Sequence, residues 1–212
     1  YALSIAKAYV ESGMYKTVLV IASEKLSSIT DYEDRETCIL FGDGAAASIV
    51  ADRGAGLSIE EVSLGSDGAQ KELLWMPGGG CREPASLKTV EERKHFIKMS
   101  GREVFKHAVR RMESAAEECV TKLNLSESDI AYIVPHQANV RIIEAVAKRF
   151  KVPMDRVYMT IHKYGNTSSS ACAIALDEFL SEKKLEEGEN LLRVAFGAGF
   201  TWASAVLKKV KE

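Results

Sequence analysis

Apolar residues recur along this chain with two different periods. Leu3, Ile5, Ala6, Tyr9 and Val10 are spaced as one buried face of a helix, which Gly13 would end as a left-handed cap. No capping residue precedes that helix, which predicts further chain ahead of Tyr1. Thr17 to Ala22 is an unbroken apolar run rich in β-branched residues, so it reads as a strand covered on both faces. After a polar loop, Cys38 to Phe41 is a short apolar segment running into the turn signal Gly42-Asp43-Gly44. Ala45 to Ala51, built of small residues, and Leu57 to Leu64 read as two more strands. Gly65 to Pro84 is rich in glycine and proline, with Met76 to Gly80 expected as a flexible, exposed loop.

The helical period then takes over. Val104, Phe105, Ala108, Val109, Met112, Ala115, Ala116, Cys119 and Val120 line one side of a long helix over Ser100 to Leu123. A turn at Ser126 to Asp129 leads into a strand, Ile130 to Val134, closed by Pro135. Helices follow at Asn139 to Phe150 and Ser168 to Glu182, with a short strand at Val157 to Thr160 between them. Leu191 to Phe196 and Thr201 to Leu207 are strands flanking Gly197-Ala198-Gly199. Strands alternating with long helices predict an α/β protein. Tyr9 to Ala51 and Ala171 to Val206 share one theme, a helix followed by a strand pair with a glycine turn, which hints at internal duplication. The glycine-rich stretch suggests a seam, dividing the chain into 1–67 and 68–212.

Composition adds limits. The chain has 212 residues, of which 46% are hydrophobic and 27% charged, enough to bury a core without disulfides. The formal net charge of -2 gives no global attraction to nucleic acid or anionic membrane. The four cysteines, Cys38, Cys81, Cys119 and Cys172, form no Cys-x-x-Cys pair, so no metal site is expected and reduced thiols are. Cys119 and Cys172 fall on helix faces as packing residues, Cys38 is expected to be buried and Cys81 lies in the loop, so none of them reads as a nucleophile.

Three segments concentrate the chemistry: Val134 to Asn139 (Val-Pro-His-Gln-Ala-Asn), His162 to Ser168 (His-Lys-Tyr-Gly-Asn-Thr-Ser) and Ala195 to Trp202 (Ala-Phe-Gly-Ala-Gly-Phe-Thr-Trp). His136 follows a strand at a strand-to-helix turn, where sites of open α/β sheets gather. Singly, each segment has a plainer reading: a structural histidine, an N-capping Asn166, a hairpin at Gly197 to Gly199.

Taken in order, these segments resemble the condensing enzymes of fatty-acid synthesis, and most closely β-ketoacyl-acyl-carrier-protein synthase III. Pro135 to Ile143 is similar to that family's histidine motif, Tyr164 to Ser169 to its asparagine motif, and Phe196 to Trp202 to its C-terminal glycine loop; Phe41 to Ala45 and Asp34-Arg35 also fit. The resemblance implies a thiolase-like fold of duplicated α/β halves in five layers, α-β-α-β-α, with this chain carrying the end of the first half and all of the second. It also places the family's nucleophilic cysteine just ahead of the residues that match Tyr1 to Ser4.

The implied reaction begins with acyl transfer from coenzyme A to that cysteine. Malonyl-acyl carrier protein then loses CO₂, and the resulting enolate attacks the acyl-enzyme. The resemblance makes His136 and Asn166 the neutral donors to the enolate oxygen, a role open to an imidazole of reference pKa about 6.5 and to a carboxamide. The backbone N–H of Ala198 becomes an oxyanion donor, although glycine is common there in the family. Asn139 is placed to bind the pantetheine arm, or simply to cap its helix. Arg35 is expected at the nucleotide end of coenzyme A and Phe196 against substrate. Arg141, with Lys106 and Lys148 as weaker candidates, is expected to dock the acidic carrier protein; Arg141 and Lys148, seven apart, share a helix face. Coenzyme A thioester and phosphopantetheine enter as substrates, with no cofactor or metal. A homodimer in the cytoplasm, or in a plastid stroma, completes the expectation. The alternatives are another thiolase-fold starter synthase of polyketide or alkylquinolone type, and a non-catalytic carrier-binding half-protein. A nucleotide-binding module resting on Gly42 to Gly44 or Gly78 to Gly80 lacks the required glycine pattern.

Overall fold

In the computed structural model, which describes residues 1–210, the elements follow the expected order. They are α1 (Ala2–Glu11), β1 (Thr17–Lys25), β2 (Asp43–Ala51), β3 (Leu57–Ser66), β4 (Leu74–Trp75), α2 (Leu87–Glu91), β5 (Lys98–Met99), α3 (Gly101–Lys122), β6 (Ile130–Pro135), α4 (Val140–Arg149), α5 (Ile161–Tyr164), α6 (Ser169–Glu182), β7 (Asn190–Gly197) and β8 (Thr201–Lys209). β1 and β2 pair antiparallel. The larger sheet has the order β3-β8-β7-β6, in which β6 runs parallel to β7 and the other pairs are antiparallel.

Helix α3 lies against β3, β7 and β8 and also packs on α4, forming the outer layer. Met112, Cys119, Ile133, Ile143, Leu192 and Val206 are fully buried between that layer and the sheet. On the other side, α6 contacts β6 and also β1 and β2, so it separates the two sheets. Its Phe179 is fully buried and meets Tyr132 and Tyr158 edge-on, with centroids 4.9 and 5.6 Å away. Both α1-β1-β2 and α6-β7-β8 are a helix followed by an antiparallel strand pair, so the suspected duplication is present in the topology.

Several local expectations are corrected. β1 is covered on one face only: alternate positions are exposed, Leu19 and Ile21 among them, because no element of this chain lies over that face. In α1 only Ala6 is buried, while Ile5 and Tyr9 are exposed for the same reason. Val157 to Thr160 makes a single bridge to Ile133 rather than a strand. The Gly65 to Pro84 stretch contains a 3₁₀ turn (Gly68–Leu73) and β4, and Gly78 is buried, its N–H donating to the Lys94 carbonyl at 2.8 Å. The suspected seam after residue 67 follows β3, which is itself an edge of the larger sheet.

Candidate active site

The three motif segments converge on one cavity of about 720 Å³, with apolar walls and a few polar groups. His136, Asn139, Asn166, Phe196 and Ala198 all line it.

His136 leaves the end of β6, where its N–H donates to the Val194 carbonyl at 2.7 Å, and it is nine-tenths buried. Its Nδ1 faces the Cys172 sulfur at 3.9 Å. Burial, the largest influence on that thiol, acts to raise its pKa, yet His136 and Arg193 outweigh it and hold the pKa below its ordinary value. With Nδ1 accepting from the Cys172 thiol, the ring's hydrogen sits on Nε2, which is then free to donate.

Asn166 is held by its backbone. Its N–H donates to the Leu40 carbonyl at 2.8 Å, and its carbonyl accepts from Gly42 N–H at 2.9 Å. That docking explains Gly42: a Cβ there would sit 2.2 Å from the Tyr164 carbonyl oxygen. The Asn166 side-chain oxygen accepts from Ser168 N–H at 2.9 Å, which leaves the NH₂ group to donate. Asn166 is therefore not the cap of α6.

Gln137 joins the two segments. It is fully buried, and its NH₂ donates to the carbonyls of Pro135 (2.8 Å) and Tyr158 (3.3 Å). Its oxygen accepts from Thr160 N–H (2.8 Å) and Ile161 N–H (3.1 Å), which start α5. A helix start leaves such N–H groups without helical partners. Gln137 supplies their acceptor from the neighbouring residue of the histidine, and α5 leads directly to Asn166.

The glycine loop is braced by β3. Asp67 and Phe200 exchange both backbone hydrogen bonds, at 2.8 and 2.7 Å. The Trp202 ring lies over Gly65, where any Cβ would clash with it at 2.2 Å, and the Arg111 guanidinium stacks on that ring 4.4 Å from the centroid. Ala198 keeps a negative φ, because the positive φ of the turn falls on Gly199 (136°). Alanine therefore needs no strained backbone here.

The remaining sequence candidates are placed less centrally. Asn139 caps α4, its side-chain oxygen accepting from Ile142 N–H at 3.0 Å, while it also lines the cavity. Arg35 is exposed and does not line the cavity. Arg141 and Lys148 are exposed on α4, and Arg141 stands between the cavity-lining Asn139 and Ile142. Lys106 is exposed but ion-paired with Glu103 at 2.7 Å, which weakens its claim as a docking charge.

Cysteine placement needs correcting in part. Cys119 is buried and Cys81 exposed as expected, but Cys38 is only half-buried. Cys172 is a cavity residue beside His136 rather than simple packing. Arg193, on a strand that reads as apolar, is nine-tenths buried and also lines the cavity. Nothing in the sequence around Arg193 marks it.

Comparison with known proteins gives a consistent result. Residues 103–209 match the family model for the 3-oxoacyl-(acyl-carrier-protein) synthase III C terminal, and residues 1–68 match the model for 3-oxoacyl-(acyl-carrier-protein) synthase III. A β-ketoacyl-(acyl-carrier-protein) synthase III of Chlamydia trachomatis serovar D is 57% identical over 211 residues, 99% of this chain and 64% of the relative. The crystal structure of 3-oxoacyl-(acyl-carrier-protein) synthase III from Aquifex aeolicus superposes with a TM-score of 0.87 at 40% identity, over 98% of this chain and 63% of that one. The priming β-ketosynthase of the R1128 polyketide pathway gives 0.84 at 35% identity, over 99% and 62%. The chain thus spans a little under two thirds of the length of these relatives. Their similarity covers both sheets, so the fold is thiolase-like throughout.

Proposed function

We infer that this chain, which belongs to the 3-oxoacyl-(acyl-carrier-protein) synthase III family, carries the enolate-stabilising part of a decarboxylating condensing enzyme. The reaction joins an acyl-coenzyme A, taken to be acetyl, with malonyl-acyl carrier protein to give 3-ketoacyl-acyl carrier protein and CO₂. The observation that supports it best is that His136, with Nδ1 facing Cys172, and Asn166, with its side-chain oxygen engaged by Ser168, line the same cavity as the glycine loop.

The roles follow from the chemistry. Decarboxylation leaves negative charge on the thioester oxygen, and two hydrogen-bond donors fixed before reaction stabilise it without reorganisation. The apolar walls exclude water, which strengthens both contacts and protects the enolate from protonation. The Ala198 N–H serves the tetrahedral intermediate, together with the backbone N–H of the family's nucleophilic cysteine. Phe196 contributes wall surface, the Asn139 NH₂ group meets the pantetheine arm, and Arg35 meets the nucleotide. Arg141 and Lys148 receive the acidic carrier protein, and a homodimer in the cytoplasm belongs to the same reading.

The test separates the two half-reactions, in a polypeptide that carries the family's nucleophilic cysteine. His136→Ala lowers malonyl decarboxylation by about 10²–10³ while acyl transfer from coenzyme A continues. Equal loss of both half-reactions would refute the division of labour. The polyketide-priming alternative is favoured by one neighbour of 35% identity, and an acyl-donor profile dominated by starters other than acetyl would select it.

A further inference from the structure

Arg193 has no part in the reaction above, and Cys172 enters it only as the neighbour of His136 Nδ1. A guanidinium removed from water is costly unless a negative charge faces it. Arg193 is nine-tenths buried, and among the described residues it takes part in no ion pair with a carboxylate. It lines the same cavity as Cys172, whose sulfur lies 3.9 Å from His136 Nδ1 and whose pKa both groups lower. All three residues line the same cavity, and Cys172 is half-buried. Cys119 makes the contrast. Its thiol is enclosed between α3 and β8, bonded to Ser204 and pushed up in pKa by burial, as a packing cysteine should be.

We propose that Cys172 is a covalent modification site, a nucleophilic thiol facing the His136 ring in a cavity that the buried Arg193 also lines, whose ligand is a low-molecular-weight disulfide of the pantetheine class. The choice of ligand rests on the reading of the cavity as a pantetheine channel; the reactivity of the thiol does not. In the reaction, the Cys172 thiolate attacks one sulfur of the disulfide. A new S–S bond to Cys172 forms as the old one breaks, and the displaced thiolate leaves and takes up a proton. Cys172 is oxidised and the departing thiol is reduced, so the disulfide itself is the oxidant. Arg193 favours the attacking thiolate and His136 Nδ1 is placed to accept its proton. The adduct then occupies the space next to His136 and blocks the cavity.

The test uses the full chain, with the sites read by peptide mass spectrometry. Under limiting iodoacetamide at pH 6.5, the peptide carrying Cys172 should be alkylated at least tenfold faster than the one carrying the exposed Cys81. Arg193→Leu should slow Cys172 at least tenfold and leave Cys81 unchanged, while Arg193→Lys should restore most of the rate. Should Arg193→Leu fail to fold, His136→Gln tests the same environment from the other side and should also slow Cys172. Cys172 reacting no faster than Cys81, or at an unchanged rate in folded Arg193→Leu or His136→Gln, overturns the site. With coenzyme A disulfide, the Cys172 peptide should gain one coenzyme A moiety that dithiothreitol removes. Reaction with oxidised glutathione but not with coenzyme A disulfide overturns the ligand class. None of these readouts requires condensation, so failure of the condensing-enzyme reading in its own assay is distinguishable from failure here.

Discussion

Gln137→Leu is a sharp probe of how the two donor segments are held together. Leucine approximates the volume of glutamine, so the change removes hydrogen bonds and leaves little cavity. Two N–H groups, of Thr160 and Ile161, lose their acceptor, and the carbonyls of Pro135 and Tyr158 lose a donor. A buried donor left unpaired costs about 1–3 kcal/mol. Thr160 is buried and pays this fully, whereas Ile161 is half-buried and recovers some of it from water. The sum is about 3 kcal/mol, equivalent to a fall in melting temperature of about 6–12 °C for a chain of this size. Urea unfolding of wild type and variant, compared at equal slope, measures it. Gln137→Glu adds a signature that mere packing loss cannot imitate. The carboxylate keeps the acceptor for both N–H groups but faces two carbonyl oxygens with no proton to offer. Burial among them raises its native pKa above the unfolded value. Its penalty is therefore present at pH 7 and shrinks as pH falls through the raised native value and the proton returns as a donor. A destabilisation of Gln137→Leu below about 1 kcal/mol, or a Gln137→Glu deficit that does not narrow toward pH 4, would refute the reasoning.

Gly42→Ala forces a Cβ against the Tyr164 carbonyl oxygen, so Asn166 shifts; malonyl decarboxylation should fall at least tenfold, with acyl transfer less affected, and equal activity of the variant would show that the close approach is not needed. Arg141→Glu should slow the carrier-protein-dependent step about tenfold at low salt, with the difference fading as salt is raised; an unchanged rate and salt response would place the dock elsewhere. Asp31 is buried and binds Arg93 and Lys98, with the Arg93 hydrogen bond holding its carboxyl well below the usual carboxylate range. Its folded-state pKa is depressed, so its stabilisation is complete above the unfolded value of about 4 and is lost as pH falls below it. The gap in melting temperature between wild type and Asp31→Asn should accordingly be widest near pH 7 and narrow below pH 4, and a gap constant from pH 7 to pH 3 would count against the ion-paired carboxylate.

Periodicity located the long elements well, because α3, α4 and α6 each bury one stripe against a sheet and the stripe is visible in the residues themselves. It failed where a face is uncovered. Val18, Val20 and Ala22 turn toward α1 and α6, while Leu19 and Ile21 look equally core-like and are exposed. An apolar run carries no mark of which neighbours are present. The donors His136 and Asn166 stood out through their surrounding motifs, and so did the glycine loop. Cys172 and Arg193 did not, because a cysteine in a helix and a lone arginine in an apolar strand acquire their meaning only when α6 and β7 bring them to the same cavity.

On the proposed reading, the motif segments are longer than the two donors alone require, and the hydrogen bonds around them account for the excess. A donor stabilises an enolate only if its direction is fixed before the charge forms. For Asn166 that direction needs the amide oxygen engaged by Ser168, the backbone engaged by Leu40 and Gly42, and no side chain at Gly42. For His136 it needs Nδ1 facing Cys172 and the chain leaving β6 at a backbone bond to Val194. Gln137 then ties the two parts so that neither turn can move without breaking buried hydrogen bonds of the other. The Phe41 to Ala45 and Gln137 positions are thus scaffolding for two hydrogen-bond vectors. Each of them can be altered without touching a reacting atom, and the cost of doing so should appear in the rate of the step that makes the enolate.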